Sequence, residues 1–282
     1  MGYVLTPPSD STAAVNLNPD MQLTDHVAYD LRDRVAHVSF TRPDSRNALS
    51  PELALGLLLA VKEIEKDRRV RVAILSGEGP VFCAGGDLKA FAATTGLGSG
   101  LADTVHDGLL GLHRSPVPVI AAIQGAAIGY GMGVASACDI RLAAAGARFQ
   151  AGFTGIGLSP DSTTSYFLPR LLGPSRARAF MLTNLPWTAE DMLAAGYVHS
   201  VHPPEELAGG ALALAERMAR MPSGALRRAK HLLEKSLDNE AGEHVEMEVG
   251  YILESFATDD FREGVTAFVE KRKPEFSAER ID

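Results

Sequence analysis

The feature that most restricts how this chain can fold is an alternation of strand-like and helix-like segments. Alternating apolar runs at residues 35–40 and 70–75 are typical of strands, and residues 51–66 between them carry apolar side chains at helical spacing. Ser50 and Pro51 provide the cap and the first-turn proline with which such a helix begins. Strands separated by helices predict parallel β units with right-handed crossovers, so we expect an α/β fold.

The same pattern continues and then changes to helices alone. A helical segment ending near His113 precedes a third predicted strand at residues 117–123. Four helices are predicted beyond it, at residues 205–220, 224–237, 242–256 and 261–271. The beginning of the chain is rich in Pro, Ser, Thr and Asn and has no periodicity. We therefore expect a disordered leader at 1–22, an α/β core at 23–200 and a helical C-terminal region at 201–282.

Composition excludes several classes of function. The 282 residues are 46% hydrophobic, which is enough for a large buried core, and the net charge of −8 argues against a nucleic-acid surface. Two cysteines, Cys83 and Cys138, have neither metal-site spacing nor the density of a disulfide scaffold. No apolar run approaches the ~20 residues that span a bilayer, and the N-terminus lacks the order of a signal peptide. We expect a cytoplasmic protein without membrane, nucleic-acid or metal partners.

The first chemically suggestive segment, FCAGGDL at residues 82–88, directly follows a predicted strand. Its two glycines free the backbone to direct an N–H inward. The alternative is an ordinary strand-to-helix turn in which Asp87 caps the next helix. Taken alone, this short sequence favours the turn.

The second segment, at residues 121–140, runs from a strand into small residues and then into a helix that begins near Gly129 or Tyr130. An N–H at a helix start is unpaired and lies at the positive end of the dipole, so it suits a developing oxyanion. A dinucleotide fingerprint would need a small residue where Val134 stands and an acidic partner that does not follow. Close helix packing through small side chains remains an alternative, and it is compatible with the oxyanion role.

Together these segments resemble the enoyl-CoA hydratase/isomerase family, also called the crotonase superfamily. The resemblance runs from about Asp25 to the C-terminus and is carried by Arg42-Pro43, RNAL at 46–49, FCAGGDLKAF, PVIAAIQG, CDIRLAA, ARFQAGFTGIGLSPDSTTSYFLPRLLG and EGVTAFVEKRKPEF. It implies a crotonase-like spiral of βαβ units with an α-helical C-terminal trimerisation region. It also implies an acyl-coenzyme A thioester as substrate, no separate cofactor, and a homotrimer or a dimer of trimers.

The resemblance also implies roles for particular residues. The oxyanion donors would be the backbone N–H groups of Gly86 and Tyr130, the latter at a position that is usually glycine. The backbone around four residues would meet the adenine and pantetheine of coenzyme A: Ala48, Ala84, Asp87 and Leu88. Arg46, and Lys271 from an adjacent subunit, would meet the phosphates, with solvated surface charge as the alternative for both.

Hydratases of this family use two glutamates to hold and deprotonate water, and the corresponding positions here are Gly133 and Phe153. Ordinary hydration is therefore disfavoured, and Phe153 would contact the acyl group instead. Asp161 offers a replacement carboxylate, similar to the branch that isomerises unsaturated acyl-CoAs. The alternative for Asp161, which Ser162 follows, is to cap the next helix.

Asp161 also resembles the nucleophile of aromatic acyl-CoA dehalogenases in the family. The histidine base of those enzymes falls at Leu110, and His106 lies one helical turn earlier, where a solvated histidine is the simpler interpretation. Four functions stay open: isomerase, which we favour, hydratase, dehalogenase or hydrolase, and a non-catalytic acyl-CoA binding protein. The stretch 90–102 is expected to line the acyl pocket, and its sequence does not predict the chain length or ring content of the acyl group.

Overall fold

A large sheet that begins as an antiparallel hairpin and continues as parallel strands organises the protein. The computed structural model describes residues 20–94, 99–277 and 279–280. The strands in these residues are Asp20–Thr24 (β1), Val27–Arg32 (β2), Val35–Phe40 (β3), Val72–Gly77 (β4), Val119–Ile123 (β5), Ala127–Ile128 (β6), Ile140–Ala144 (β7), Arg148–Gln150 (β8), Trp187–Thr188 (β9) and Ser200–His202 (β10). The large sheet has the order β1-β2-β3-β4-β5-β7-β10, and β6, β8 and β9 form a small second sheet.

The predicted parallel α/β arrangement is confirmed from β3 onward. The pairs β3–β4, β4–β5, β5–β7 and β7–β10 are all parallel. The antiparallel pairs β1–β2 and β2–β3 were not predicted. Strand β1 includes residues 20–22, which the sequence assigned to the leader, and the rest of that predicted segment, residues 1–19, lies outside the described residues.

Helices fill the connections between strands and form the C-terminal part of the chain. They span Pro51–Lys66 (α1), Leu88–Thr94 (α2), Ser99–Arg114 (α3), Tyr130–Ala137 (α4), Thr164–Leu172 (α5), Pro174–Thr183 (α6), Ala189–Ala194 (α7), Leu207–Ala219 (α8), Ser223–Lys235 (α9), Ala241–Phe256 (α10) and Asp259–Glu270 (α11). Helix α1 begins as predicted, because the Ser50 hydroxyl accepts a hydrogen bond from the N–H of Leu53 at 3.1 Å.

Local chemistry explains where two strand predictions were displaced. The N–H of Val70 closes a turn onto the carbonyl of Asp67 at 3.1 Å, so β4 begins at Val72 rather than at residue 70. Pro118 has no N–H to donate, and β5 begins at Val119 rather than at residue 117. The segment at 90–102 divides between α2 and α3, and its residues 95–98 lie outside the described residues.

The sheet is covered on both faces. Helices α1 and α3 pack on one side in the main core, which includes Leu53, Leu57 and Leu109. Helix α8 covers the other side, where Ala211 and Ala215 meet the strands. Burial on both faces is expected for parallel strands with crossover helices. Loops at the strand ends are therefore held by a rigid scaffold.

The four predicted C-terminal helices are confirmed within two residues at each end. They leave many large apolar side chains exposed on α10 and α11: Val245, Val249, Ile252, Leu253, Phe256, Phe261, Val265, Phe268 and Val269. Such a surface on a single chain is typical of a contact with another protein surface. The trimerisation role of this region stays a prediction. No helix in the described part of the chain is long and apolar enough to cross a bilayer.

Candidate functional site

Two loops run side by side at the end of the parallel sheet, and a β-bridge fixes their relative position. The N–H of Cys83 donates to the carbonyl of Ala126, and the N–H of Ile128 donates to the carbonyl of Cys83, both at 3.0 Å. This bridge pairs Cys83 with Ala127 in parallel. Counting three residues onward along each loop reaches Gly86 and Tyr130. A Cβ added to Gly129 would lie 3.7 Å from the Cα of Gly85, so the residues that precede the two predicted oxyanion donors lie side by side.

Gly86 lies in a second β-bridge, with Leu49, and its own N–H takes no part in the hydrogen bonds of that bridge. The N–H of Leu49 donates to the carbonyl of Gly85 at 2.7 Å, and the N–H of Asp87 donates to the carbonyl of Leu49 at 3.4 Å. The hydrogen bonds of this parallel bridge are therefore made by Gly85 and Asp87, the residues on either side of Gly86. The N–H of Gly86 has no hydrogen-bond partner among the described residues and lines a cavity.

Tyr130 is the first residue of helix α4, as the sequence predicts. Gly129 precedes it with a φ of 53°, a left-handed conformation suited to glycine. The N–H of Tyr130 is also unpaired in the described part of the chain and lies at the positive end of the helix. Its phenol is buried, and burial raises the pKa of that hydroxyl well above the usual value. The phenol therefore stays protonated, and its hydroxyl has no hydrogen-bond partner among the described residues.

Gly86 and Tyr130, whose N–H groups are unpaired among the described residues, both line a cavity of about 490 Å³. Its walls are mostly apolar, with Leu88, Phe91, Phe153, Ile156 and Leu158 among them. Asp161 is the one carboxylate among the described residues that line it. An apolar pocket with a few convergent polar groups is the usual form of a small-molecule site.

Asp161 is paired with His106, which the sequence placed in solvent. The Nε2 atom of His106 lies 3.0 Å from Oδ1 of Asp161, and 41% of each side chain is exposed. His106 is therefore partly solvated, as expected, and its pairing with Asp161 was not predicted. The carboxylate lies at the cavity wall, where it meets both the cavity and solvent.

The alternative role of Asp161 as a helix cap does not apply to its side chain. Helix α5 begins at Thr164 without a side-chain cap, and the carboxylate of Asp161 faces His106 instead. The backbone carbonyl of Asp161 accepts from the N–H of Thr164 at 3.1 Å and from its hydroxyl at 2.7 Å. Ser162 and Thr163 have φ values of 52° and 58°, a left-handed conformation that is costly for such residues.

Gly133 explains how this strained turn fits. A Cβ added to Gly133 would lie 2.8 Å from the Cβ of Ser162 and closer still to the carbonyl oxygen of Ser162. Helix α4 and the turn after Asp161 therefore touch through backbone atoms. The position where hydratases carry a glutamate has no room for a side chain. Phe153, at the other such position, is buried and lines the cavity.

Asp87 makes the capping interaction that its local sequence predicts. Its Oδ1 accepts from the N–H of Ala90 at 3.1 Å in the first turn of α2, and its Oδ2 pairs with Arg42 at 2.9 Å. The hydrogen bond from Ala90, together with Arg42, holds the pKa of this carboxyl below its usual range. Arg42 also donates to the carbonyl of Ala48 at 3.1 Å. The interaction of Arg42 with Asp87 was not predicted from the Arg42-Pro43 motif.

The remaining predicted binding residues divide between the cavity region and the surface. Ala84 and Leu88 line the cavity, and the carbonyl of Arg46 accepts from the N–H of Ala84 at 3.0 Å. Arg46 is exposed at this edge, which is compatible with a phosphate partner. Lys271 ends helix α11 on the surface and does not line the cavity of its own chain.

This fold and site define a family of proteins. Residues 30–279 match the family model described as enoyl-CoA hydratase/isomerase, and the chain belongs to that family. A similar protein of Escherichia coli, named 1,2-epoxyphenylacetyl-CoA isomerase, is 32% identical over 86% of this chain and 95% of its own.

Solved structures in the family have the same fold. An enoyl-CoA hydratase from Bacillus anthracis is 30% identical, with a TM-score of 0.85 over 90% of this chain and 99% of that chain. An enoyl-CoA hydratase from Polaromonas sp. JS666 is 28% identical, with a TM-score of 0.85 over 89% of this chain and 99% of that chain. The parallel-rich sheet with C-terminal helices is therefore the crotonase architecture.

Proposed function

We propose that this protein is an enoyl-CoA isomerase in which Asp161 moves a proton between two carbons of the acyl chain. The observation that carries the proposal is the position of Asp161. It is the one carboxylate among the described residues around the cavity. Gly86 and Tyr130 line the same cavity, and their N–H groups have no partner in the described part of the chain. A reaction that needs a single base fits such a site.

The reaction balances with these groups alone. The carboxylate of Asp161 takes a proton from the α-carbon of a 3-enoyl thioester, and the electron pair spreads onto the thioester oxygen and the γ-carbon. The N–H groups of Gly86 and Tyr130 stabilise the developing oxyanion. The carboxyl group then returns the proton to the γ-carbon, giving the conjugated 2-enoyl thioester. Coenzyme A is part of the substrate, and no further cofactor takes part.

Hydration is less well supported because it requires a second group to hold water. Gly133 and Phe153 occupy the two glutamate positions, and neither can transfer a proton. The backbone contact between Gly133 and Ser162 fills the space that a side chain would need. The Bacillus and Polaromonas relatives are named as hydratases, whereas the Escherichia relative is named as an isomerase. We give more weight to the site than to the names.

A second candidate is hydrolytic displacement on an aromatic acyl-CoA, and the contact between His106 and Asp161 favours it. In that reaction Asp161 would attack a ring carbon and expel a halide, and water activated by His106 would then cleave the resulting ester. The product would carry a hydroxyl group in place of the halogen. Isomerisation leaves the mass of the thioester unchanged, so mass spectrometry separates the two.

Substrate binding and assembly complete the proposal. Arg46 at the cavity edge, and Lys271 from a neighbouring subunit, would bind the phosphates of coenzyme A. The exposed apolar surface of α10 and α11 would form the contacts of a trimer or a dimer of trimers. The cytoplasm, where acyl-CoA substrates are available, is the proposed location.

Asp161→Asn tests the proposal. Asparagine keeps the size of the side chain and an oxygen for His106, but it cannot carry a proton. The variant should fold, bind a saturated acyl-CoA normally by calorimetry, and lose conversion of a 3-enoyl-CoA by at least ~10²-fold. Asp103→Asn, an exposed carboxylate on α3, is the matched control.

Deuterium exchange provides a second measurement on the same variants. Wild-type protein should exchange the α-protons of a saturated acyl-CoA with solvent deuterium, and Asp161→Asn should not. Unchanged isomerisation by Asp161→Asn would contradict the proposed role. A wild-type protein inert towards 2-enoyl, 3-enoyl and aromatic thioesters would support acyl-CoA binding without catalysis.

A further inference from the structure

His106 lies on a rigid element, whereas Asp161 lies in a turn. Val105 and Leu109, on either side of His106 along α3, are buried in the main core. Asp161 is followed by two residues in the left-handed conformation and precedes α5. The contact of 3.0 Å between Nε2 of His106 and Oδ1 of Asp161 therefore ties the turn to the helix.

The contact also makes the two carboxylate oxygens of Asp161 different, because only Oδ1 is bonded to His106. With the proton on Nε2, the His106 ring donates to Oδ1 of Asp161. The other oxygen, Oδ2, has no hydrogen-bond partner within residues 20–94, 99–277 and 279–280. A proton-transferring carboxylate needs one free oxygen in a fixed direction, and the pairing leaves Oδ2 free while Oδ1 is held.

We propose that His106 is a positioning residue that holds Oδ1 of Asp161, so that Oδ2 exchanges the proton with the substrate. This inference rests on the proposed function of Asp161. Fixing the direction of Oδ2 favours the reaction, because a base must lie within hydrogen-bond reach of the proton that it takes from the substrate.

The inference predicts an effect on turnover and little effect on binding. His106→Leu should lower kcat for isomerisation about 10- to 100-fold, the range seen when a group that orients a reacting residue is removed. KM should stay near the wild-type value because His106 does not line the cavity. His106→Gln should recover most of the rate, since its amide N–H can donate to Oδ1. Asp107→Leu, an exposed position on the same helix, is the control for an added leucine.

A double variant separates this role from a general structural one. If His106 acts only through the Asp161 carboxylate, His106→Leu should change the residual rate of Asp161→Asn by no more than roughly 2-fold. If the rate losses of His106→Leu and Asp161→Asn multiply in the double variant, the positioning role is wrong. A kcat of His106→Leu equal to wild type, together with an inactive Asp161→Asn, would also overturn the positioning role while leaving the proposed function intact. Full activity in Asp161→Asn would overturn the proposed function as well. Circular dichroism and urea unfolding check the fold, and His106→Ala replaces the leucine variant if that variant does not fold.

Discussion

The carbonyl oxygen of Ser162 occupies the space in which a side chain at Gly133 would begin. Helix α4, which carries the proposed oxyanion donor of Tyr130, therefore contacts the turn after Asp161 at a position with no room for a further side-chain atom. A glutamate at position 133 and the observed place of Asp161 exclude each other. The loss of one carboxylate and the position of the other are two aspects of a single packing arrangement.

Gly133→Ala tests that packing. The added methyl group must displace the turn after Asp161, and overpacking of this kind costs about 1–3 kcal/mol of stability. Urea unfolding should show the loss, and isomerisation should fall as Asp161 moves. Gly209→Ala in helix α8, where an added Cβ meets nothing within 4 Å, is the control and should gain about 0.5–1 kcal/mol. Equal stability of wild type and Gly133→Ala would contradict the predicted displacement.

A pair of variants at Gly86 isolates the contribution of its N–H. A Cβ at this position would lie 2.5 Å from Cε2 of Phe91, so both Gly86→Ala and Gly86→Pro must displace that ring. Only proline also removes the N–H. The proline variant should be slower than the alanine variant by about 10²–10³-fold in kcat, the usual effect of losing one oxyanion donor. Similar rates in the two variants would rule out Gly86 as a donor.

Stability at low pH should depend on Asp87. Its carboxyl has a lowered pKa in the folded protein, so its contribution is present above the unfolded pKa and is lost as the pH falls through the folded pKa. Asp87→Ala should cost about 1 kcal/mol at neutral pH through the lost cap. The difference from wild type should shrink below a pH of about 4, near the unfolded pKa. A difference that stays constant down to pH 2, measured by urea unfolding, would argue against this linkage.

Assembly is testable by light scattering. The exposed apolar surface of α10 and α11, including Phe268 at 85% exposure, should be covered by other subunits. The expected mass is three or six times 30.0 kDa. Phe268→Glu should shift the protein towards smaller species, because a charge in an apolar contact is costly. A monomeric wild type would contradict both the assembly and the role of Lys271 across subunits.

The parts of this structure that follow from local patterns could be predicted from the sequence. Helix α1 with its Ser50 cap, the start of α4 at Tyr130 and the cap made by Asp87 all depend on neighbours within a few residues. Strand β1 alternates polar and apolar residues over only five positions, and its place in the sheet is defined by its partner, β2. Its pairing could not be read from Asp20–Thr24 alone.

The contact between His106 and Asp161 was missed for a similar reason. The two residues are 55 positions apart, and only the packing of α3 beside the turn before α5 brings them together. A sequence comparison with dehalogenases gave Leu110 as the base position, one helical turn away from His106. The direction of a side chain on α3 depends on tertiary packing, which helical spacing does not determine. The pairing of His106 with Asp161 is therefore a result of the fold.

The proposed oxyanion donors of Gly86 and Tyr130 belong to the main chain, and this has a consequence for how the protein would tolerate mutation. Most point mutations replace side chains and leave the N–H groups in place, provided that the bridge between Cys83 and Ala127 persists. The walls of the cavity can then be exchanged while the capacity to stabilise an enolate is kept. A new reaction on this scaffold requires a relocated carboxylate or a reshaped wall, and it can reuse the same anion-binding backbone.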